Sequence, residues 1–200
     1  MSKKEAILDA ATKLFSEKGF TETHMAEISK LTGAAEGTIF YHFKNKEDLF
    51  LAILNKFKED ITEEFNRYKK DATFETGMEM LEGGISFYLS LAASMEDRFL
   101  LLHRHYAYEL AKVNTVCKEN LEAIYDCLVN IFEQAILAGQ KDGSISTVPA
   151  RKMALIIFSM VDGLVRLNTY NLYHAGSLYQ WLIEACRRML KNPYNSGETV

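Results

Sequence analysis

Apolar residues recur at intervals of three and four along almost the whole of this 200-residue chain. A pattern of this period is typical of helices that bury one face. Only 2 prolines and 11 glycines interrupt it, and no segment alternates convincingly with a period of two residues. The sequence therefore predicts an all-α protein of about nine helices rather than a fold of many short strands.

The composition is that of an ordinary globular protein, with 48% hydrophobic and 25% charged residues. The first eighteen residues carry charges among the apolar positions, unlike a signal peptide. The longest apolar stretch, near residues 153–165, is too short to span a bilayer. Three cysteines, an odd number without metal-ligand spacing (Cys117, Cys127 and Cys186), favour a reducing compartment. We expect a cytoplasmic protein that does not cross a membrane.

The motifs of common enzymes are missing from the sequence. It has no phosphate loop, nucleophile elbow, paired-carboxylate motif or HExxH sequence. His103 and His105 are two residues apart on a predicted helix, so their side chains point in different directions. The sequence thus predicts a protein that is not an enzyme and that holds no cofactor and no metal ion.

Residues 28–43 have the pattern of a helix-turn-helix, with a short helix, a turn at Gly33 and a second short helix. Glycine suits such a turn because it adopts positive φ at little cost. We expect the second helix to pack inward through Ala34, Ile39, Phe40 and Phe43. Its outward side, which a recognition helix presents to DNA, would carry Glu36, Gly37, Thr38, Tyr41 and His42.

This N-terminal region resembles the DNA-binding domain of the tetracycline-repressor (TetR) family of bacterial transcription regulators. The matching residues are Gly19-Phe20, Thr23, Ile28, Gly33, Gly37-Thr38-Ile39-Phe40, His42-Phe43, Lys46 and Leu49. The resemblance implies a helix-turn-helix domain over residues 1–48 and a ligand-binding and dimerisation domain over residues 49–200.

The resemblance also implies roles for single residues. Thr23 or His24 would contact a phosphate at the start of a helix. Thr38 and His42 would contact phosphates, and Tyr41 would reach the backbone or a base. Lys46 would contact a phosphate and fix the docking angle. Glu36 either accepts a hydrogen bond from a cytosine or only favours its helix N-terminus. Two residues depart from the family pattern, Phe40 in place of the usual Tyr and Ala35 in place of a capping Ser.

Charge limits how such a domain can bind DNA. The chain has a net charge of −4, and residues 1–48 hold seven Lys, no Arg and eight acidic residues. Binding cannot depend on neutralising many phosphates. We expect affinity to come from helix N-termini, from two domains acting together and from a few placed lysines, namely Lys3, Lys4, Lys44 and Lys46.

The C-terminal region supplies candidates for an effector pocket and for a subunit interface. Tyr88, His103, Tyr106 and Tyr125 fall on apolar stripes, and they either line a pocket or are ordinary core residues. The helix predicted through residues 150–170 has a second stripe with small residues that permits a close helix crossing. The residues of this stripe are Leu155, Ser159, Gly163 and Leu167. We expect a homodimer through the stripe, with Trp181 either in the interface or in the core.

Taken together, these features predict a sequence-specific DNA-binding regulator. We expect a repressor that a small, largely apolar or aromatic effector releases from a pseudo-palindromic double-stranded DNA operator. The alternative is a helical small-molecule carrier or protein-interaction adaptor that does not bind DNA.

Overall fold

The computed structural model describes residues 2–191. Within them the chain is all-helical, as predicted, and the β structure is one antiparallel bridge between Ile145 and Lys191. The helices are α1 (Lys3–Lys18), α2 (Met25–Thr32), α3 (Glu36–His42), α4 (Lys46–Asp71), α5 (Gly77–Ser94), α6 (Glu96–Leu102), α7 (His105–Val113), α8 (Thr115–Asp142), α9 (Ala150–Thr169) and α10 (Tyr179–Leu190), with a short 3-10 helix (Ala175–Leu178) before α10.

The described residues contain one α-helix more than the sequence predicts. The apolar pattern from Phe99 to Leu110 predicts a single helix, but the structure divides it into α6 and α7. Arg104 lies between them in extended conformation, with φ −72° and ψ 142°. Its guanidinium donates to the carbonyl oxygens of Ser16 and Glu17, the latter at 3.0 Å. The break coincides with this tertiary contact, which a periodic pattern does not report.

Packing divides the chain into two compact units. Unit 1 comprises the described residues up to Thr62 together with Met95–Ile124. Unit 2 comprises Glu63–Ser94 and the described residues from Tyr125 onward. The predicted boundary after residue 48 separates the DNA-binding domain from the ligand-binding and dimerisation domain. It divides the chain by function and not by packing, and it stays a prediction.

Unit 1 has an aromatic core around α1 and α4. Phe15 and Phe50 are buried, and their ring centroids lie 6.2 Å apart. Phe20 joins them at 5.2 Å from Phe15 and 5.7 Å from Phe50. α1 begins in a capping box, in which the Ser2 hydroxyl accepts from the Glu5 amide and the Glu5 carboxylate accepts from the Ser2 amide. This well-defined α1 provides the surface against which α2 and α3 pack.

Unit 2 depends on a close approach of α5 to α8. A Cβ atom on Gly77 would lie 1.9 Å from the backbone nitrogen of Gly139, so α5 has no room for a side chain at this position. The Asp142 carboxylate accepts from the Gly77 amide at 2.6 Å, and the Ser144 hydroxyl accepts from the Met78 amide at 3.1 Å. The sequence predicts that Gly139 ends its helix, and this is wrong: α8 continues to Asp142, and Gly139 serves the helix contact instead.

α9 has one buried face and one exposed face, as its two stripes predict. Ala154, Ile157, Val161 and Val165 are buried. Leu155, Ser159 and Gly163 are exposed, whereas Leu167 is half-buried. The buried stripe belongs to the core of unit 2, so the other stripe remains available at the surface.

Candidate DNA-binding interface

The turn between α2 and α3 has the predicted geometry. Gly33 adopts φ 67° and ψ 8°, in the left-handed region that glycine enters without steric cost. The Ser29 hydroxyl donates to the carbonyl of Ala34 at 2.7 Å, and the Thr32 hydroxyl accepts from the Ala34 amide at 3.3 Å. Polar side chains of α2 therefore fix the turn, and with it the direction in which α3 begins.

Two buried residues anchor α3, and Phe40 is not one of them. Ile39 and Phe43 are buried, and Ala34 before the helix is half-buried. Phe40 is 46% exposed, so its prediction as an inward-facing residue is wrong. The reason is geometric: Ile39 and Phe43 are four residues apart and define the buried face, while Phe40 lies about 100° around the helix from Ile39.

The other face of α3 lies at the surface. Glu36 and Gly37 are exposed and Thr38 and His42 are half-buried, while Tyr41 is 85% exposed. Among the described residues, no atom beyond those of α3 itself lies within 4 Å of the position that a Cβ on Gly37 would take, so the backbone of α3 is open to close approach. The five residues predicted to face outward thus all reach the surface, which is a geometry suited to a recognition helix.

The start of α3 lacks a side-chain cap. Ala35 is the N-cap residue and offers no acceptor, in agreement with the departure from the family pattern noted in the sequence. The first turn is held by the backbone, since the Thr38 amide donates to the Ala35 carbonyl at 2.8 Å.

Thr23 and His24, the alternatives for a phosphate contact at the start of α2, differ in exposure. Thr23 is buried, and its hydroxyl donates to the carbonyls of Gly19 at 2.8 Å and Leu14 at 3.2 Å. His24 is exposed, and its amide donates to the Glu27 carboxylate at 3.1 Å. A contact through the Thr23 hydroxyl would require both of its bonds to break, so the geometry favours His24, and the contact itself stays a prediction.

Lys46 and Lys44 also differ in their surroundings. The Lys46 ammonium donates to the carbonyls of Phe20 at 2.7 Å, Thr21 at 3.3 Å and Thr23 at 2.9 Å. Its three hydrogens therefore have acceptors within the protein, and burial lowers its pKa. Lys44 is exposed. The predicted phosphate contact of Lys46 would have to replace one of these carbonyls, whereas Lys44 is at the surface.

A cleft of about 260 Å³ adjoins the helix-turn-helix. It lies between the start of α1 and the turn before α3, and Lys3 and Thr38 are on its lining. The cleft brings the exposed N-terminal lysine and the recognition helix to one surface. This position agrees with the predicted use of Lys3 in DNA binding.

The candidate pocket residues of unit 2 share a neighbour. Tyr88 is buried, and its hydroxyl donates to the Asp162 carboxylate at 2.7 Å. The ring of Phe158 lies 6.1 Å from that of Tyr88 and 5.6 Å from that of Tyr125. Tyr88 and Tyr125 thus belong to one aromatic cluster, which also includes Phe132 at 6.4 Å from Tyr88.

The candidate pocket residues of unit 1 have other surroundings. His103 is buried, with its ring 6.4 Å from that of Phe99. Tyr106 stacks on Phe20 at 3.8 Å between centroids, and burial, with Glu47 and Cys117 nearby, raises the pKa of its hydroxyl to about 12. Tyr106 therefore packs against the segment that precedes α2, and its role in effector binding remains a prediction.

Comparison with known proteins identifies the N-terminal region. Residues 7–53 match the family model of bacterial regulatory proteins of the tetR family. The fatty acid metabolism regulator protein of Bacillus subtilis is 29% identical over 158 residues, which cover 78% of this chain and 78% of that protein. The regulator QacR of Staphylococcus aureus is 47% identical over 55 residues, 28% of this chain and 29% of its own.

Solved structures agree over nearly the full length. The regulator FadR of Bacillus subtilis, solved in complex with stearoyl-CoA, has a TM-score of 0.71 and 26% identity, and the match covers 91% of this chain and 96% of that one. The regulator FadR of Bacillus halodurans matches with a TM-score of 0.75 at 21% identity, over 94% of this chain and 95% of its own, and shows the same fold.

The chain carries a DNA-binding domain of the tetR family.

The protein is a DNA-binding transcriptional regulator, and the relatives that it matches are regulators rather than enzymes. In the part of the chain that the structure describes, no cluster of three or more His, Cys, Asp or Glu could hold a metal ion. Over the same residues, no helix has both the length and the apolar composition that a membrane span requires.

Three residues of this regulator organise the interface through contacts that the sequence alone does not predict. Ser29 fixes the turn, Phe20 lies between Lys46 and Tyr106, and Arg104 holds the end of α1. Phe20 belongs to the matched family residues, but its partners on α4 and α7 are far away in sequence. Only the folded chain brings these groups together.

Proposed function

We propose that this regulator is a homodimeric repressor. Two copies place their α3 helices in successive major grooves of a pseudo-palindromic operator, and a small, largely apolar effector releases them. The observation that carries the proposal is the exposed face of α3, where Glu36, Gly37 and Tyr41 stand at the surface while Ile39 and Phe43 anchor the helix.

The charge of the DNA-binding segment supports selective rather than general binding. Residues 1–48 hold one more acidic than basic residue, and each phosphate that a protein neutralises adds about 0.9 to the salt dependence of binding. The exposed lysines at residues 3, 4 and 44 supply few such contacts. A single domain would bind weakly, so the operator affinity depends on two domains joined in one dimer.

The exposed stripe of α9 supports the dimer. Leu155 and Ile156 are 45% and 48% exposed, and with Ser159 and Met160 they line a depression of about 380 Å³. In the part of the chain that the structure describes, no atom beyond those of α9 itself lies within 4 Å of the position of a Cβ on Gly163, so a second helix has room to approach there. An apolar surface of this kind is typical of a protein interface. In an isologous dimer the same stripe of each copy meets its equivalent.

Trp181 is a further exposed apolar side chain of unit 2. It lies on α10 and is 70% exposed. Of the two alternatives that the sequence leaves open, core or interface, its exposure favours the interface. Burying an aromatic side chain of this size removes a large apolar area from water, which favours association.

The effector that we propose to test first is a long-chain acyl thioester. The Bacillus subtilis regulator that matches this chain at 26% identity was solved with stearoyl-CoA. Residues 73–173 of this chain contain eleven Phe or Tyr and five Met, a composition that suits an apolar acyl chain. Tyr88 and Tyr125, with Phe158 between them, are the unit 2 residues that we place nearest to the effector.

The DNA-binding part is tested by selection from random double-stranded DNA. The proposal predicts enrichment of a pseudo-palindrome with half-sites about one helical turn apart. Gel shifts with competitor DNA over a salt series then measure its affinity and salt slope. If the protein enriches no sequence even at low salt, the carrier or adaptor alternative is correct.

The effector part is tested on the enriched operator. Stearoyl-CoA should release labelled operator, as seen by a fall in fluorescence anisotropy, while free coenzyme A at equal concentration should not. Calorimetry of stearoyl-CoA with the protein alone separates effector binding from competition with DNA. Release by coenzyme A alone, or no release by either, would contradict this effector class.

A further inference from the structure

Tyr106 joins α7 to the DNA-binding segment. Its ring stacks on that of Phe20, with centroids 3.8 Å apart and planes inclined by 8°. It also meets Phe50 of α4 edge to face, at 5.1 Å and 85°. Phe20 lies in the connection between α1 and α2, only a few residues before the helix-turn-helix begins. A residue of α7 therefore covers the segment from which α2 starts.

The Lys46 ammonium lies over the same Phe20 ring, 4.5 Å from its centroid. Because the stacked Tyr106 covers one face of Phe20, the ammonium lies over the other, where the aromatic ring attracts a cation. The same ammonium donates to the carbonyls of Phe20, Thr21 and Thr23. Phe20 is thus held between α7 and the first residue of α4, and the carbonyls that lead into α2 are held with it.

Two further contacts connect the same part of unit 1 to the DNA-binding segment. The Asn114 side chain donates to the Glu47 carboxylate at 2.8 Å and accepts from the Cys117 amide at 3.0 Å, so it ties the start of α8 to the start of α4. The Arg104 guanidinium holds two carbonyls at the end of α1. α7 is therefore fixed to the DNA-binding segment at both of its ends as well as through Tyr106.

We propose that Tyr106 is a positioning residue for operator binding. By stacking on Phe20 it keeps the α1–α2 connection under the Lys46 ammonium, and it thereby sets the angle of the helix-turn-helix. This inference rests on the proposed DNA-binding function and adds the residue through which α7 controls it. A movement of α7 that separates the two rings loosens the three carbonyl contacts of Lys46, so operator affinity falls while unit 1 stays folded.

The test compares variants on both sides of the stack. Tyr106→Leu and Phe20→Leu keep an apolar side chain but lose the ring contact, whereas Tyr106→Phe keeps the ring and removes only the hydroxyl. Tyr108→Leu is the matched control, because Tyr108 lies on the same helix and is exposed. Affinity is measured for the operator enriched by the wild type and for a DNA of unrelated sequence.

We expect Tyr106→Leu and Phe20→Leu each to weaken operator binding about tenfold, the upper range for loss of an aromatic pair. The double variant should lose no more than either single variant, because both remove one contact. Affinity for unrelated DNA should stay within twofold. Tyr106→Phe and Tyr108→Leu should bind the operator within twofold of the wild type.

Amide hydrogen exchange supplies a readout that does not depend on an operator. In Tyr106→Leu, exchange should accelerate over residues 19–25 and at the start of α4, and remain at the wild-type rate in unit 2. If the wild type enriches no operator, the proposed function fails, and this exchange pattern still decides whether the stack positions the segment.

Three outcomes would overturn the proposal. One is a Tyr106→Leu protein with wild-type operator affinity and wild-type exchange. Another is an equal loss on operator and unrelated DNA together with faster exchange throughout unit 1, which is the pattern of general destabilisation. The third is failure of both Tyr106→Leu and Phe20→Leu to fold, which would make the stack a requirement for folding rather than a positioning contact.

Discussion

α3 and α9 follow the same rule of one buried face and one exposed face, but their exposed faces differ in chemistry. On α3 the exposed side carries a carboxylate, a bare backbone at Gly37 and the phenol of Tyr41. On α9 it carries Leu155 and Ile156 beside a surface depression. The first offers hydrogen bonds and an open backbone, and the second offers apolar area.

The difference shows that the buried and the exposed residues of an amphipathic helix give separate information, the first about packing and the second about function. The buried residues of each helix, such as Ile39 and Ile157, only fix which side faces the core. The exposed residues decide what the helix meets: polar groups suit the base edges and phosphates of DNA, whereas apolar groups suit a second protein surface. Binding through α3 should therefore weaken with salt, and association through α9 should not.

The largest effect is expected at Gly163. Gly163→Arg places a long charged side chain in the open space on α9, so two copies should no longer approach, and the protein should be monomeric at micromolar concentration. Operator affinity should fall by roughly a hundredfold or more, because one domain alone makes too few contacts. Sedimentation and gel shifts measure both. Thr147→Arg, which adds the same charge in an exposed loop, should leave both unchanged, and a dimeric Gly163→Arg protein would place the interface elsewhere.

The next effect is expected at Tyr41. Tyr41→Ala should weaken operator binding about tenfold, or about 1.4 kcal/mol, because the side chain is free to reach DNA and supports no core contact. The dimer and the unfolding midpoint should not change. Tyr173→Ala is the control, since Tyr173 is 81% exposed but lies in unit 2. Equal affinity of Tyr41→Ala and the wild type would remove α3 from the interface.

A smaller and more specific effect separates Lys44 from Lys46. Lys44→Ala should lower the slope of log affinity against log salt by about 0.9 per DNA-binding domain, the value for one phosphate contact. Lys46→Met should instead lower the free energy of unfolding by about 1.5–3 kcal/mol, the usual effect of losing hydrogen bonds to a charged group, with little change in the salt slope. A clear drop in slope for Lys46→Met would show that its ammonium leaves the carbonyls of Phe20 and Thr23 for a phosphate.

The smallest effect is expected at Glu36. If its carboxylate accepts a hydrogen bond from a cytosine, Glu36→Gln should relax the preference at one base pair per half-site, by about 1 kcal/mol. If it only favours the N-terminus of α3, the enriched operator should stay the same and the helix should lose a few tenths of a kcal/mol. Parallel operator selections with both proteins distinguish the two cases. Identical base preferences would leave the electrostatic role alone.

Much of the fold could be predicted because the signals are local. Gly33 marks the turn, Ile39 and Phe43 mark the inner side of α3, and the two stripes of α9 lie as their spacing predicts. Helical periodicity needs only neighbours three and four residues apart. The same reasoning failed for Phe40 because it assigned every apolar residue of the segment to the buried side, whereas Ile39 and Phe43, four residues apart, leave Phe40 about 100° around the helix.

The contacts between distant segments could not be predicted. Arg104 separates α6 from α7 because it reaches carbonyls at the end of α1, and Lys46 bonds to carbonyls that precede α2. Gly139 resembles a helix terminator in sequence but serves a close contact with Gly77. In each case the deciding partner is far away along the chain. A single sequence contains no local trace of that pairing.

The contact of Gly77 with Gly139 limits how this regulator could be adapted as a biosensor. Libraries that aim at a new effector usually vary the residues around a pocket, and in unit 2 those residues lie on helices whose spacing these two glycines set. Alanine at Gly77 would bring a methyl group onto the backbone of Gly139 and push α5 away from α8, and alanine at Gly139 would bring one onto the side chain of Ile145. Variation around Tyr88 and Tyr125 should therefore leave both glycines untouched, so that changes in response report on the ligand rather than on a displaced helix.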